Sequence, residues 1–282
     1  MVDVVRGEAG FAPVEGGRLY YEVVGEGYPL ALIHAGVADH RMWDEQVAAF
    51  APYYRVIRYD TRGFGRSETE AGTFSDYADL LALLDHLGVA QAHVVGLSRG
   101  GGIAIDFCLE HPDRVRALIP VASGVDGLEG WEALITPAER AAEAAMEAAT
   151  EAGDLAALAD LEVRYWADGP GQPEGRAGSS VRERLREMIR FTQQNQPVEP
   201  TREHLSPPAL TRLGEISAPT LVMYGDLDES VVMEGCEQLA RGIAGARKIV
   251  FPGVAHMVNM ERPTEFNRVA LEFLGGLGLT GR

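Results

Sequence analysis

Along most of this chain, short runs of apolar and β-branched residues alternate with stretches whose apolar positions recur at helical spacing. Residues 30–35 (LALIHA), 54–60 (YRVIRYD), 92–97 (AHVVGL), 117–123 (ALIPVAS), 220–225 (TLVMYG) and 247–253 (RKIVFPG) each read as a strand. Strands separated by helices cross over into a mainly parallel sheet with helices on its faces. A hairpin precedes them, because APVEGGRLYYEVVGEG carries Gly16-Gly17 between two alternating segments, as a tight turn requires.

Between Val125 and Ser217 the strand pattern disappears and helix starts take its place. Thr136-Pro137-Ala138-Glu139 supplies a capping hydroxyl, a proline at the first helical position and a glutamate that reaches back. An alanine-rich helix between Ala138 and Ala152 follows, and Ser180 to Glu183 repeats the capping spacing. The Pro- and Gly-rich stretches 168–180 and 195–208 read as loops around these helices. The expected organisation is a core domain made of residues 1–124 and 218–282, with residues 125–217 as a helical cap inserted after the sixth strand, counting the two of the hairpin.

With 282 residues, 46% of them hydrophobic, the chain can bury a substantial core. No apolar stretch approaches bilayer length, and the first residues lack the basic-then-apolar pattern of a signal peptide, so a cytoplasmic protein is expected. The formal charge of -17 argues against nucleic acid or an anionic membrane as partner, since the summed field repels phosphate. Cys108 and Cys236 lie far apart without metal-ligand spacing, so two reduced thiols and no metal site are expected. Lys248, the only lysine, falls inside an apparent strand, which leaves Schiff-base chemistry one poor candidate.

The stretch HVVGLSRGGG, His93 to Gly102, changes the picture from fold to chemistry. A strand ending at Leu97 and a helix starting near Gly100 force a sharp turn at Ser98, and Gly96 and Gly100 let strand and helix approach. The hydroxyl then projects outward, and the first amides of the helix, Arg99 N–H among them, point at whatever reacts with it. A serine needs a base and a group that orients the base. Among the seven histidines, His256 lies just beyond the last strand, at the sheet edge where Ser98 sits. Asp226 and Asp228 both follow a strand at that edge. Asp228 is the choice for the orienting acid, because Asp226 directly follows the turn glycine and suits a local side-chain turn, with Asp126 a remote third option.

The order Ser98, Asp228, His256, together with LALIHAGVADHRMWDEQ, YRVIRYDTRGFGRSE, HPDRVRALIPVAS, APTLVMYGDLDES and GVAHMVNMERPTEF in sequence, resembles the α/β-hydrolase fold family over nearly the whole chain. The resemblance is to its serine esterase and enol-lactonase-like branch. It implies an oxyanion hole made by the amides of Gly36 and Arg99, and a structural role for Asp60 and Arg62 in the loop after their strand. The family usually has His-Gly where this chain has His34-Ala35, so a constrained turn at Ala35 and a roomier pocket beside Gly36 are expected.

The implied activity is hydrolysis of small to medium carboxylic esters, or lactones, through an acyl-enzyme, with no cofactor. Trp131, Trp166 and Met188 are the candidate substrate-contacting residues of the cap, with Tyr165 and Phe191 beside them. A carbon–carbon bond hydrolase would hold a substrate carboxylate with an arginine such as Arg164 or Arg190; a perhydrolase would admit peroxide to the same site. A ligand receptor on the same scaffold would retain the three residues and turn over slowly. Arg99 has two further readings, a guanidinium offered to an anionic substrate group or a solvent-facing helix position.

Overall fold

A computed structural model describes residues 7–195 and 201–278. Its main sheet contains β1 (Glu8–Val14), β2 (Gly17–Val24), β3 (Tyr28–Ile33), β4 (Tyr54–Tyr59), β5 (Glu68–Thr69), β7 (Ala92–Leu97), β8 (Val115–Val121), β10 (Leu221–Gly225) and β11 (Arg247–Phe251). Two short strands, β6 (Thr73–Phe74) and β9 (Thr201–Arg202), pair with each other outside it. The order in the main sheet is β1-β2-β4-β3-β7-β8-β10-β11, with β5 on β2. From β4 to β11 the pairs are parallel, whereas β2 runs antiparallel to β1, β4 and β5.

The β7 run AHVVGL is buried at every position. A strand covered by helices on both faces needs a continuous apolar run rather than an alternating one. The covering helices are α1 (Asp44–Phe50), α2 (Asp76–His86), α3 (Arg99–Glu110), α7 (Ser230–Gly242), α8 (Val258–Glu261) and α9 (Pro263–Gly275). Between β8 and β10 come α4 (Pro137–Glu151), α5 (Leu155–Val163), a π-helical turn Arg164–Asp168 and α6 (Ser179–Asn195). Because β3 has β4 on one side and β7 on the other, the chain switches direction across the sheet there. A crevice opens at the carboxyl ends of such strands. The loop after β3 and the turn after β7 both border it.

All six expected strands are present within about two residues of their expected bounds. The hairpin turn is Glu15-Gly16 rather than Gly16-Gly17: Val14 pairs with Gly17, and Gly16 takes the positive φ of +69°. Thr136 and Glu139 cap α4 reciprocally, the Thr136 hydroxyl accepting from Glu139 N–H at 3.3 Å and the Glu139 carboxylate from Thr136 N–H at 2.5 Å. Ser180 is not a cap, since α6 already begins at Ser179. The strand β9 was hidden because two residues carry no alternation to read, and its pairing to β6 ties the end of the insert to the core. Cys108 and Cys236 are buried and unpaired; burial pushes the Cys108 thiol up to about 12 and the Cys236 thiol further up.

Candidate active site

Ser98 joins β7 to α3 with φ 56° and ψ -117°. A positive φ is costly for a residue with a Cβ and persists only where the surroundings enforce it. The enforcement is visible in three neighbouring glycines. A Cβ on Gly96 would lie 2.0 Å from the Gly100 carbonyl oxygen, and one on Gly100 would lie 2.3 Å from the Ile33 carbonyl oxygen. A Cβ on Gly101 would meet the Ser123 side chain at 2.5 Å. The glycine run therefore holds α3 against the ends of β3, β7 and β8. At the start of α3 the Arg99 amide has no preceding helical carbonyl to bond.

The loop after β3 is fixed by a buried imidazole. His34 Nε2 accepts the Thr61 N–H at 2.8 Å, so the ring proton is on Nδ1, which donates to the Ala35 carbonyl at 2.7 Å. Burial lowers the pKa of His34 and keeps it neutral. Ala38 N–H also bonds the Ala35 oxygen, at 3.1 Å. The Ala35 carbonyl and the Gly36 N–H belong to one trans peptide, so holding the oxygen on one side aims the N–H to the other. The expected strain at Ala35 is absent, because its φ is not positive. A Cβ at Gly36 would sit in ordinary contact with the Arg99 side chain at 3.6 Å, so the glycine leaves about a methyl group of space there.

His256 and Asp228 are almost completely buried. His256 Nδ1 lies 2.9 Å from both Asp228 oxygens, while Asp228 Oδ1 also accepts the Glu229 N–H at 2.7 Å. An imidazole donating from Nδ1 leaves Nε2 free to take a proton. The Trp166 ring lies over His256, centroids 4.5 Å apart, and Trp166 also lines a cavity of about 250 Å³ together with Ser98. That cavity runs along α3 past Gly102 and Ile105 to Asp106, with Arg202, Glu229 and Val232 on other walls. Burial raises the Glu229 pKa, and its carboxylate accepts the Tyr165 hydroxyl at 2.9 Å.

A family model for the α/β hydrolase fold matches residues 28–263. The chain belongs to the α/β-hydrolases. This α/β-hydrolase is 30% identical over 281 residues to the 2-hydroxy-6-oxononadienedioate/2-hydroxy-6-oxononatrienedioate hydrolase of Paraburkholderia phymatum, covering 93% of each chain. Among solved structures it resembles the enol-lactonase of Burkholderia xenovorans LB400, with TM-score 0.74, 25% identity and coverage of 94% of this chain and 100% of that one. A thermophilic esterase from Thermogutta terrifontis is similar at TM-score 0.73 and 25% identity, covering 96% and 99%. No helix among the described residues of this α/β-hydrolase is long and apolar enough to cross a membrane.

The expected site residues of the α/β-hydrolase are not all at the cavity. Trp166 lines it, whereas Trp131 is 43% exposed on a short turn and Met188 is buried on the inner face of α6. Amphipathic spacing marks a face of α6 as apolar without saying which neighbour it packs on. Phe191 lies under the Arg41 guanidinium, 5.1 Å from ring centroid to carbon. Of the two arginines considered for an anion, Arg164 lines a different cavity with the α4 alanines and Arg190 is exposed. Arg99 does not face solvent; its guanidinium binds Asp76 at 2.9 and 3.0 Å and lines the Ser98 cavity beside Arg202, which sequence reading passed over inside a Pro-rich loop.

Asp226 reaches across to Gly253 N–H at 2.6 Å, bracing the loop that carries His256 instead of making a local turn. Asp60 accepts His40 N–H and Nδ1 and Arg66 N–H at 2.7 to 2.8 Å, while Arg62 binds Asp79 and the carbonyls of Glu15 and Gly16. Asp39, His40 and Asp60 bring ligand atoms within 4.8 Å of one another. Arg41 holds Asp39 while His40 and Arg66 hold Asp60, so internal donors already satisfy this cluster.

Proposed function

We propose that this α/β-hydrolase cleaves small to medium carboxylic esters, including lactones, through an acyl-enzyme on Ser98. The observation that carries the reading is a strained serine at a strand-to-helix turn, opening into a cavity whose Trp166 wall also covers an Asp228–His256 pair. His256 Nε2 takes the hydroxyl proton as Oγ attacks the carbonyl, and Asp228 holds the imidazole and stabilises its charged form. The amides of Gly36 and Arg99 receive the oxyanion. The imidazolium then protonates the leaving alcohol, and water, activated by the same imidazole, releases the acid. Every step uses side chains and amides of the protein itself. Residues 125–217 serve as a cap over a core of 1–124 and 218–282, with Trp166 as its contribution to the site.

A cavity of about 250 Å³ suits a small substrate. The similarity to an enol-lactonase and an esterase favours oxygen esters. The second reading is hydrolysis of a carbon–carbon bond, favoured by the 30% identity to the dienedioate hydrolase over 93% of each chain. The test is steady-state hydrolysis of p-nitrophenyl esters from acetate to laurate, with the native protein and Ser98→Ala. Loss of activity by several orders of magnitude in the variant, with an optimum at short acyl chains, is expected. Equally slow hydrolysis by both proteins overturns the ester reading and leaves the carbon–carbon reading to be tried on a dienedioate.

A further inference from the structure

The Ser98 cavity carries a charged wall that ester cleavage does not use. Arg99 from α3 and Arg202 from β9 share one buried carboxylate, Asp76 of α2: Arg99 Nη2 bonds both its oxygens, and Arg202 Nε lies 2.8 Å from Oδ2. Among the described residues neither Nε has a hydrogen-bond partner, that of Arg202 being at ion-pair distance but off the bonding angle. The other arm of Arg202, Nη2, stands 3.5 Å from Asp106, too long for a good hydrogen bond. Two guanidinium groups thus face one firmly held carboxylate and one loosely held carboxyl.

Burial raises the Asp106 pKa to about 7, with Arg202 and His204 opposing the shift and Asp126 and Asp76 adding to it. The remaining charged groups around the cavity, among the described residues, are Glu229, bonded by Tyr165, and Asp126, paired with His204 at 2.8 Å. While Asp106 is protonated, one positive charge on this wall has no counter-ion among the described residues. A ligand carboxylate meeting Arg202 takes the place that the ionised Asp106 would fill.

We propose that Arg202, with Arg99 behind it, forms a carboxylate subsite at the far end of the cavity, with Asp106 as a competing internal anion. This deepens the ester reading and rests on it: the substrate is a half-ester or lactone of a dicarboxylic acid, its free carboxylate distant from the scissile carbonyl. The eight residues from Ser98 to Asp106 along α3 correspond to roughly 12 Å, which calls for a flexible spacer of several carbons. The subsite is a positive island in a protein of net charge -17, so it selects anions by contact rather than by long-range attraction.

The test compares p-nitrophenyl half-esters of succinate through suberate with their methyl-capped neutral counterparts, from pH 5.5 to 8.5. A preference of at least tenfold in kcat/KM for the half-ester at pH 6, strongest for the longer spacers and declining through pH 7, is expected. Arg202→Met brings the ratio near one, Arg202→Lys retains part of it, and Arg190→Met leaves it intact. Asp106→Asn keeps the preference and flattens its pH dependence. A ratio of one at pH 6 with both esters turned over by a Ser98-dependent route overturns the subsite and leaves the ester reading standing. If neither ester is turned over, calorimetry of suberate binding to the Ser98→Ala protein decides: binding at pH 6 that weakens at pH 8 and vanishes in the Ser98→Ala, Arg202→Met double variant upholds the subsite without the ester chemistry, and no binding at pH 6 overturns it.

Discussion

The indole of Trp166 lies against the imidazole of His256 at 4.5 Å between centroids, tilted by 46°. A positive charge that develops on the imidazole next to an indole face is stabilised by the ring quadrupole, an effect of about 0.5 to 2 kcal/mol. Trp166→Ala should therefore lower kcat/KM for a p-nitrophenyl ester by roughly 2- to 30-fold, with most activity retained in Trp166→Phe. Unchanged kinetics in the alanine variant would show that the ring only packs.

His34 acts through a single peptide plane, since its Nδ1–H holds the Ala35 oxygen. Replacing it by alanine frees that plane to rotate, and in the proposed mechanism the loss of Gly36 N–H as an oxyanion donor is worth about 10²-fold in kcat or more. The expected pattern is a fall in kcat with KM little changed, and weaker inhibition by a boronic acid, which forms a tetrahedral anion on serine. A change confined to KM would contradict the assignment.

His40 should give the fold a pH-dependent contribution. Burial opposes its charge, but hydrogen bonds to Asp60 and Glu22 outweigh burial and raise its pKa to about 9. The folded pKa exceeds the unfolded one, so the stabilisation is complete below about 6.5 and disappears as pH rises through about 9. Urea unfolding of the native protein and His40→Gln should differ by on the order of 3 kcal/mol at pH 6 and converge by pH 10. A pH-independent difference would mean that packing, not charge, is what His40 supplies.

Arg176 uses its guanidinium to join two segments. Nε and Nη2 donate to the carbonyls of Asp168 and Ala167, Nη1 donates to Gly253, and both Nη atoms donate to Glu261, which in turn accepts the Ala255 N–H at 2.9 Å. The pair is partly buried, and losing charge-assisted hydrogen bonds of this kind costs about 1.5 to 3 kcal/mol. Arg176→Met should lose that much in chemical unfolding, and Arg176→Met with Glu261→Met less than the sum of the two single losses. Additive losses would indicate that the pair is not coupled.

How much of this was legible in the sequence depended on whether a residue acts through its neighbours in the chain or through distant ones. The turn at Ser98 was readable because Gly96 and Gly100 must be small for reasons local to a strand-to-helix corner. Gly101 was not, since the atom that excludes a side chain there belongs to Ser123. His256 and Asp228 could be placed because both follow strands at one edge of a parallel sheet. Met188 could not be separated from Trp166, as both are large apolar residues on helical segments and only packing assigns one to the core and the other to the cavity. Arg202 gave no signal, because its partners Asp76 and Asp106 lie on two helices remote in sequence.

The helical insert is fastened along more than one margin. Arg176 grips the loop before His256, Tyr165 and Glu139 hold Glu229 and Ser230, and β9 pairs with β6 on the opposite side. A strap secured at both ends cannot swing out like a flap. On the proposed ester reading, an insert fastened in this way makes the girth of the substrate at the threshold the first point of discrimination, before any bond to Ser98 is in play.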